Sequence, residues 1–242
     1  MSACADCGSD LGRHHSLVAA DVPAMANGSR IIEPTCSHCG TLIPVGAVSG
    51  GIDPARRVIL ISGPVGAGKS AVGQYIERHY GYVFIDGDAI SKRLNYRARQ
   101  DPALKADECL YHKETMRTMM VVLGLGYDVV VGYVLGSDEV QAYVGRLAEY
   151  GIRPLVRVLL PSRETCITRD IERPCWTAGT DFVDRWYAQQ RALKDLSLLA
   201  CIDTSLETVE ETVALHFRPH IGGPTPVTGG PSAATSARLR RA

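Results

Sequence analysis

The chain has 242 residues, 45% hydrophobic and 21% charged, a balance that builds one medium globular domain plus an appendage and excludes a wholly disordered chain. Lys plus Arg number 26 and Asp plus Glu number 26, so the formal net charge is zero; a globally basic nucleic-acid binder is disfavoured, and only a local basic patch remains open. The longest apolar runs, residues 129–131 and 155–160, fall far short of the ~20 residues of a bilayer crossing, and no secretory signal opens the chain, so it reads as soluble and cytoplasmic with no membrane partner.

In chain order, two cysteine knuckles come first. Cys4-Ala-Asp-Cys7 and Cys36-Ser-His-Cys39 are each followed at once by glycine, Gly8 and Gly40. Two such turns about 30 residues apart aim four thiolates at one tetrahedral ion, and the glycines let backbone amides approach sulfur. Residues 1–45 therefore resemble a zinc ribbon, with Cys4, Cys7, Cys36 and Cys39 holding a structural Zn²⁺. The competing reading is a pair of redox-active Cys-x-x-Cys motifs. His14, His15 and His38 are nearby, but four thiolates already complete the shell. So short a segment buries little core, and the metal would supply most of its folding free energy. The pattern leaves three roles open: staple, protein-docking module or nucleic-acid contact. Cys109, Cys166, Cys175 and Cys201 are scattered and read as small buried hydrophobes or loop thiols.

A Gly-containing linker, 46–55, leads to Arg57-Val-Ile-Leu-Ile-Ser62, the continuous apolar run of a parallel strand buried on both faces. It runs directly into Gly63-Pro64-Val65-Gly66-Ala67-Gly68-Lys69-Ser70, a full match to G-x-x-x-x-G-K-S, and a helix is expected from Ala71 to His79. Gly63, Gly66 and Gly68 permit backbone conformations in which successive N–H groups converge on phosphate oxygens, and the helix amino end adds partial positive charge. Lys69 is expected to bridge the β- and γ-phosphates of a nucleoside triphosphate and the Ser70 hydroxyl to coordinate Mg²⁺.

The next strand ends in two carboxylates around a glycine, Asp86-Gly87-Asp88. In a doubly wound sheet the strand carboxyl ends line the ligand crevice, so both acids belong near the transferring phosphate. Phosphoryl transfer to a hydroxyl needs a proton acceptor and a group that organises the metal, and one acid at each position supplies them. The plainer reading is that Asp88 caps the helix beginning at Ala89. The third strand, 128–135, carries no acid at its carboxyl end, which argues against a motor ATPase, and no Asn-Lys-x-Asp guanine-reading motif appears.

With a later arginine segment, these motifs resemble the P-loop kinase group that includes gluconate kinase, adenylylsulfate kinase, chloramphenicol phosphotransferase and the polynucleotide 5′-kinase domain. The resemblance covers about residues 56–218. It implies an α/β three-layer P-loop fold with five parallel strands in the order 2-3-1-4-5, and ATP and Mg²⁺ as cofactors. It assigns Asp88 as the base or hydroxyl-orienting group and Asp86 to the metal and the acceptor. The arginine such kinases often carry three residues after that acid is Ser91 here, with Lys92 and Arg93 following. Arg169 and Arg173, four residues apart after a fourth strand at 153–160, would belong to a lid that closes on the transferring phosphoryl group. The alternative is an arginine face paired with Glu164, Asp170 and Glu172, and Arg163 is a lesser lid residue.

A helix over 180–198 carries Trp186 and Tyr187 as packing residues, and a short last strand over 200–205 precedes a helix over 206–217 capped near Thr204 or Ser205. The resemblance brings Asp203 and Thr204 to the adenine and places an acceptor lobe over residues 89–127 that includes Lys92 and Arg93; Ala71 is expected at the phosphates, and Tyr133, just beyond the third strand, at the acceptor. That lobe also holds Tyr96, Arg97, Arg99, Tyr111, His112, Lys113 and Arg117, a mix that suits an anionic, sugar-like or nucleotide acceptor or equally a solvated helix surface. The tail, 219–242, is expected to be disordered, with Arg238, Arg240 and Arg241 at its end. The reading favoured is a kinase of a small-molecule hydroxyl (sugar, nucleoside or antibiotic). A nucleic-acid 5′-hydroxyl kinase and a nucleotide-dependent scaffold docked through the ribbon are the alternatives.

Overall fold

The computed structural model describes residues 3–4, 6–7, 9–11, 15–21, 30–39, 41–48, 51–101, 103–104, 106–173, 177–191, 193 and 200–221. Gly8, His14, Gly40, Cys175 and residues 222–242 of the tail lie outside them. Two strands, β1 (His15–Asp21) and β2 (Arg30–Cys36), pair antiparallel as a hairpin. The other five form a parallel sheet: β3 (Val58–Ser62), β4 (Val83–Asp86), β5 (Val129–Gly132), β6 (Leu155–Leu159) and β7 (Ala200–Ile202). Their order, β4-β5-β3-β6-β7, is the expected 2-3-1-4-5.

The central strand explains the layering. Its side chains alternate, so Val58 and Leu60 join one core while Ile59 and Ile61 join the other. The first core is covered by α2 (Gly87–Gln100), α3 (Glu108–Gly124) and α4 (Ser137–Ala148), through Ile90, Met119, Leu123 and Tyr143 among others. The second is covered by α1 (Lys69–Tyr80), through Val72 and Ile76, and by Val213 of the later helix α7 (Val209–His216). Each such aliphatic residue taken fully from water is worth roughly 1.5–3 kcal/mol, which makes β3 the anchor of the site that grows from its end.

Two further helices, α5 (Arg163–Glu172) and α6 (Thr180–Arg191), stand beside the sheet beyond β6. The described part of the helix expected over 180–198 ends at Arg191, and residues 194–198 lie outside the described ones. The last long helix begins later than expected. Thr208, not Thr204 or Ser205, is its N-cap, in a reciprocal box with Glu211, while Leu206 is 98% exposed. A final turn, α8 (Arg218–Ile221), buries Ile221 in the second core, so the folded domain runs past residue 218.

The N-terminal module is packed on the larger domain. Cys4, Leu11, Cys36 and Ile43 cluster with Val48 and with Val121 of α3, and Leu17 and Ile32 of the hairpin pack on the first core. The expected linker, 46–55, is therefore seated at its start: Val48 is fully buried, and a Cβ at Gly124 would come within 2.6 Å of the Val48 side chain. Among the described residues no helix is long and apolar enough to cross a membrane.

Candidate active site

The loop between β3 and α1 is shaped by its glycines. Gly63, Gly66 and Gly68 have φ of +145°, +79° and +96°. At Gly66 a Cβ would stand 2.2 Å from the Cys166 carbonyl oxygen of α5, so the loop touches that helix backbone to backbone. Gly66→Ala therefore meets both a strained φ and a backbone wall, a cost of roughly 1–3 kcal/mol. Its ATP affinity is expected to fall about tenfold or more in calorimetry with the fold retained, the energetic equivalent of that strain. Beneath the loop, buried Ser62 receives the Leu135 N–H (2.9 Å) and reaches Gln190 (2.8 Å), whose side-chain amide donates to the Leu135 oxygen (2.9 Å). This lock between β3, the segment after β5, and α6 is not visible in any local pattern.

Lys69 is buried, and its Nζ donates to the carbonyl oxygens of Gly63 (2.9 Å) and Pro64 (3.0 Å). Burial pulls its pKa down, and the charges of Asp88 and Asp86 oppose that pull. Val65 and Gly68 are half-buried, Ala67 is packed in the core and Ala71 is exposed. Ser70 Oγ donates to Asp86 Oδ2 (3.1 Å). This hydroxyl and carboxylate, side by side at the end of the lysine loop, are the hard oxygen donors that suit a magnesium ion.

The two acids divide their work in a way that corrects the capping expectation. Asp86, not Asp88, is the N-cap of α2: its Oδ1 accepts from the N–H groups of Asp88 (3.0 Å) and Ala89 (3.4 Å). Asp86 is 2% exposed, whereas Asp88 is half-buried in the first turn of α2, and its carboxylate makes no hydrogen bond among the described residues. At the end of β5, in register with Asp86, stands Gly132. A Cβ there would approach the Phe84 ring to 2.9 Å, so no acid occupies that place.

The arginine segment is partly committed. Arg169 donates to the Thr204 carbonyl (2.9 Å), which joins α5 to the loop expected near the adenine. Asp203 in that loop accepts from Ser205 N (2.9 Å). Arg173 follows the end of α5 and pairs with buried Asp170, whose other oxygen takes the N–H groups of Ala178 (2.9 Å) and Gly179 (3.2 Å). Its charge is nevertheless close enough to act on Lys69. Arg163 is gripped by Asp184 of α6 (2.5 and 2.8 Å), so it ties α5 to α6 rather than facing the loop.

On the side expected to face an acceptor, Tyr133 is 8% exposed and its ring lies where a Cβ on Gly87 would be, next to Asp88. Burial and the charge of Asp88 push its phenol pKa up. Arg93 departs from expectation. It is ion-paired with Glu33 of β2, across a sequence separation that no helix pattern reveals. Lys92 is half-buried and also has a partner. The His112 ring lies tilted against Tyr133, with ring centroids 4.8 Å apart. Of the other cysteines, Cys166 is buried behind the loop with its thiol pushed up to about 11 by burial, Cys201 is half-buried and Cys109 is exposed.

At the far end of the module the two knuckles repeat one geometry: Cys4 N–H donates to Ser9 O and Cys36 N–H to Thr41 O, both at 2.9 Å. The sulfurs of Cys4 and Cys39 are 3.6 Å apart and those of Cys7 and Cys36 3.7 Å, with all four within 4.8 Å of one another. A tetrahedron with ~2.3 Å Zn–S bonds has edges of ~3.8 Å, so the cluster fits a zinc ribbon. The Thr41 hydroxyl beside Cys39 pulls that thiol down to about 6, whereas Cys4, whose sulfur is 3.6 Å away, is raised to about 11. Metal analysis is expected to give about one zinc per chain. Cys36→Ser should lose it, with faster hydrogen exchange in β1, β2 and the Val121 end of α3 but unchanged ATP affinity. A metal-free chain with four reactive thiols would refute the ribbon.

A glycine loop with its buried lysine, a serine–aspartate pair and a second acid one turn on define a P-loop fold of the kinase-like class. Residues 58–193, more than half of the chain, match the AAA_33 family, described as an AAA domain, and the chain belongs to that family. Among solved structures it is similar to the Deinococcus radiodurans tunicamycin resistance protein (14% identity, TM-score 0.54, covering 71% of this chain and 99% of that one). It is also similar to a sugar kinase from Janibacter (15%, TM-score 0.51, 66% and 91%) and a gluconokinase from Sinorhizobium meliloti (19%, TM-score 0.48, 66% and 87%). No protein of curated function matches its sequence.

Proposed function

We propose that the protein is an ATP-dependent kinase that moves the γ-phosphoryl group of ATP to a hydroxyl of a small molecule. The observation that carries this reading is the division of labour between the two acids: Asp86 is held by Ser70 and by the start of α2, while Asp88 beside it is uncommitted. Backbone N–H groups of residues 63–71 cradle the phosphates and Lys69 neutralises the β- and γ-oxygens. Ser70 and Asp86 hold magnesium, which when bound offsets charge on the phosphates. Asp88 orients the acceptor hydroxyl and takes its proton as the acceptor oxygen bonds to the γ-phosphorus; the bond to the β-phosphate oxygen breaks and its electron pair leaves with ADP. Arg169 and Arg173 close over the transferring group, while Asp203 and Thr204 contact the base. Tyr133 lines the acceptor lobe, Lys92 and Arg93 lie on α2 beside it with their charges already engaged, and a structural zinc in the ribbon braces that lobe through α3.

The neighbours named as acting on sugars and conferring tunicamycin resistance support a small-molecule acceptor, as does a net charge of zero. The test is ATP consumption by the full chain across sugars, nucleosides, aminoglycosides and 5′-hydroxyl oligonucleotides. Stimulation by a small molecule is the expected result. Stimulation by the oligonucleotide alone would make it a nucleic-acid-end kinase, and ATP binding without any stimulation would leave a nucleotide-dependent scaffold.

A further inference from the structure

The charges around Asp88 select among acceptors, given the kinase reading above. Ser91, one turn from Asp88, spends its hydroxyl on the Asp88 carbonyl (3.0 Å). Arg93 is paired with Glu33, Arg117 is held through Nε and one Nη by Glu114 (2.9 and 2.7 Å), and Lys92 is not free. Arg97 lines a groove of about 50 Å³ between β2 and the α2–α3 pair, together with Arg93 and Arg117. Nine residues beyond Asp88, at ~100° per residue, it lies on the opposite side of α2, and Arg99 is three turns or ~16 Å along.

What does stand against Asp88 is aromatic. The Tyr133 ring packs over Gly87, the His112 ring is 4.8 Å from it, and Tyr143 meets His112 edge-on at 6.2 Å. The Tyr133 hydroxyl makes no hydrogen bond among the described residues, and His112 Nδ1 is buried without a hydrogen-bond partner. An orphaned buried ring nitrogen is costly unless something pairs with it. Burial holds the His112 pKa below its ordinary value, against the charges of Glu139 and Glu108, so the ring is neutral near pH 7.

We propose that Tyr133 and His112 form the acceptor wall, that His112 Nδ1 hydrogen-bonds the acceptor, and that the acceptor is an uncharged, polyhydroxylated molecule with a flat or apolar face. An anion buried at this wall would meet Asp88, Glu108 and Glu139, while Arg93 and Arg117 are already paired and Lys113, beside His112 on α3, is exposed rather than buried with the rings; desolvating an anion unpaired costs several kcal/mol. A sugar or nucleoside face gains contact area with the rings instead. His112 keeps its proton throughout; the acceptor's proton passes to Asp88 and the γ-phosphorus exchanges its bond to ADP for one to the acceptor oxygen.

The experiment measures ATP consumption by the full chain with matched acceptors, glucose against gluconate and thymidine against thymidine 3′-monophosphate, each pair sharing the same free primary hydroxyl. The uncharged member is expected to show a kcat/KM at least ~10-fold higher, since an unpaired charge costs more than the ~1.4 kcal/mol of one decade. Equal or better turnover of the charged members overturns this inference and leaves the kinase reading standing. ATP binding with no turnover of these members or of any compound in the wider panel overturns both. With the best acceptor, His112→Leu should raise the acceptor KM about tenfold, one hydrogen bond, without changing the KM for ATP. His112→Asn, whose amide nitrogen takes the place of Nδ1, should restore most of it. An unchanged acceptor KM in the leucine variant removes His112 from the wall.

Discussion

Lys69→Ala should weaken ATP binding by ~100-fold or more while leaving the fold intact. Lys69 is 6% exposed and its ammonium reaches two carbonyl oxygens of its own loop, Gly63 and Pro64, so it is held where phosphate oxygens would replace or join those acceptors. A charge-assisted hydrogen bond is worth roughly 1.5–3 kcal/mol, and two of them to phosphate exceed the ~2.7 kcal/mol of two decades. The alanine chain loses a second quantity as well. Asp86 and Asp88 both act on the Lys69 charge, so without it two carboxylates face a polyanion with less positive charge between them. Calorimetric titration with ATP and magnesium measures this, and an affinity within tenfold of the parent chain would break the assignment of the loop. Lys69→Arg is not expected to rescue, because a planar guanidinium needs space that the loop's two carbonyl contacts do not leave.

Legibility of the sequence followed the range of the interactions. The strand, loop and helix around Gly63–Ser70 are short-range features, and each glycine that the motif requires sits at positive φ. The sheet order was likewise legible, because buried runs alternate with helical segments and resemble a known plan. What local pattern hid was pairing across distance. Arg93 looks like an acceptor ligand on α2, but the ion pair with Glu33 is made only once the hairpin has docked. Arg163 is similar: Asp184, on the next helix, takes it away from the loop. The start of α7 was misplaced for a different reason. Thr204 and Ser205 look like caps, yet the Thr208-x-x-Glu211 pair satisfies two backbone N–H groups at once, and Thr204 is instead held by Arg169 through its carbonyl. His112 lacked any motif; its signal is a buried unpaired nitrogen, which exists only in three dimensions.

The docking of the ribbon gives those distant pairs a common cause. Val121 on α3 shares a core with Cys4 and Cys36, and Glu33 on β2 holds Arg93 on α2. The module thus touches both α2 and α3, the two helices proposed to form the acceptor lobe. A metal-held module of this size can stabilise one lobe without being part of the chemistry, which is why its loss is expected to reach α3 and not ATP affinity.

Asp88→Asn should leave ATP affinity nearly unchanged and reduce phosphoryl transfer by ~10²–10⁴-fold, the range for a missing general base. The argument rests on what each acid already does. One oxygen of Asp86 receives the Ser70 hydroxyl and the other caps α2, so protonating it would cost the cap, worth ~1 kcal/mol, and the metal pair together. Asp88 is half-buried, near Lys69 and Tyr133, and free to turn toward an acceptor hydroxyl. The two asparagine variants therefore separate. Asp86→Asn should raise the magnesium concentration needed for half-maximal rate and loosen the start of α2, whereas Asp88→Asn should keep the magnesium dependence of the parent chain at a much lower rate. Single-turnover measurements across magnesium concentrations distinguish them. If the Asp88 variant transfers phosphate within tenfold of the parent, the proton leaves by another route, either to Asp86 or directly to a phosphate oxygen, and the division of labour between the two acids is wrong.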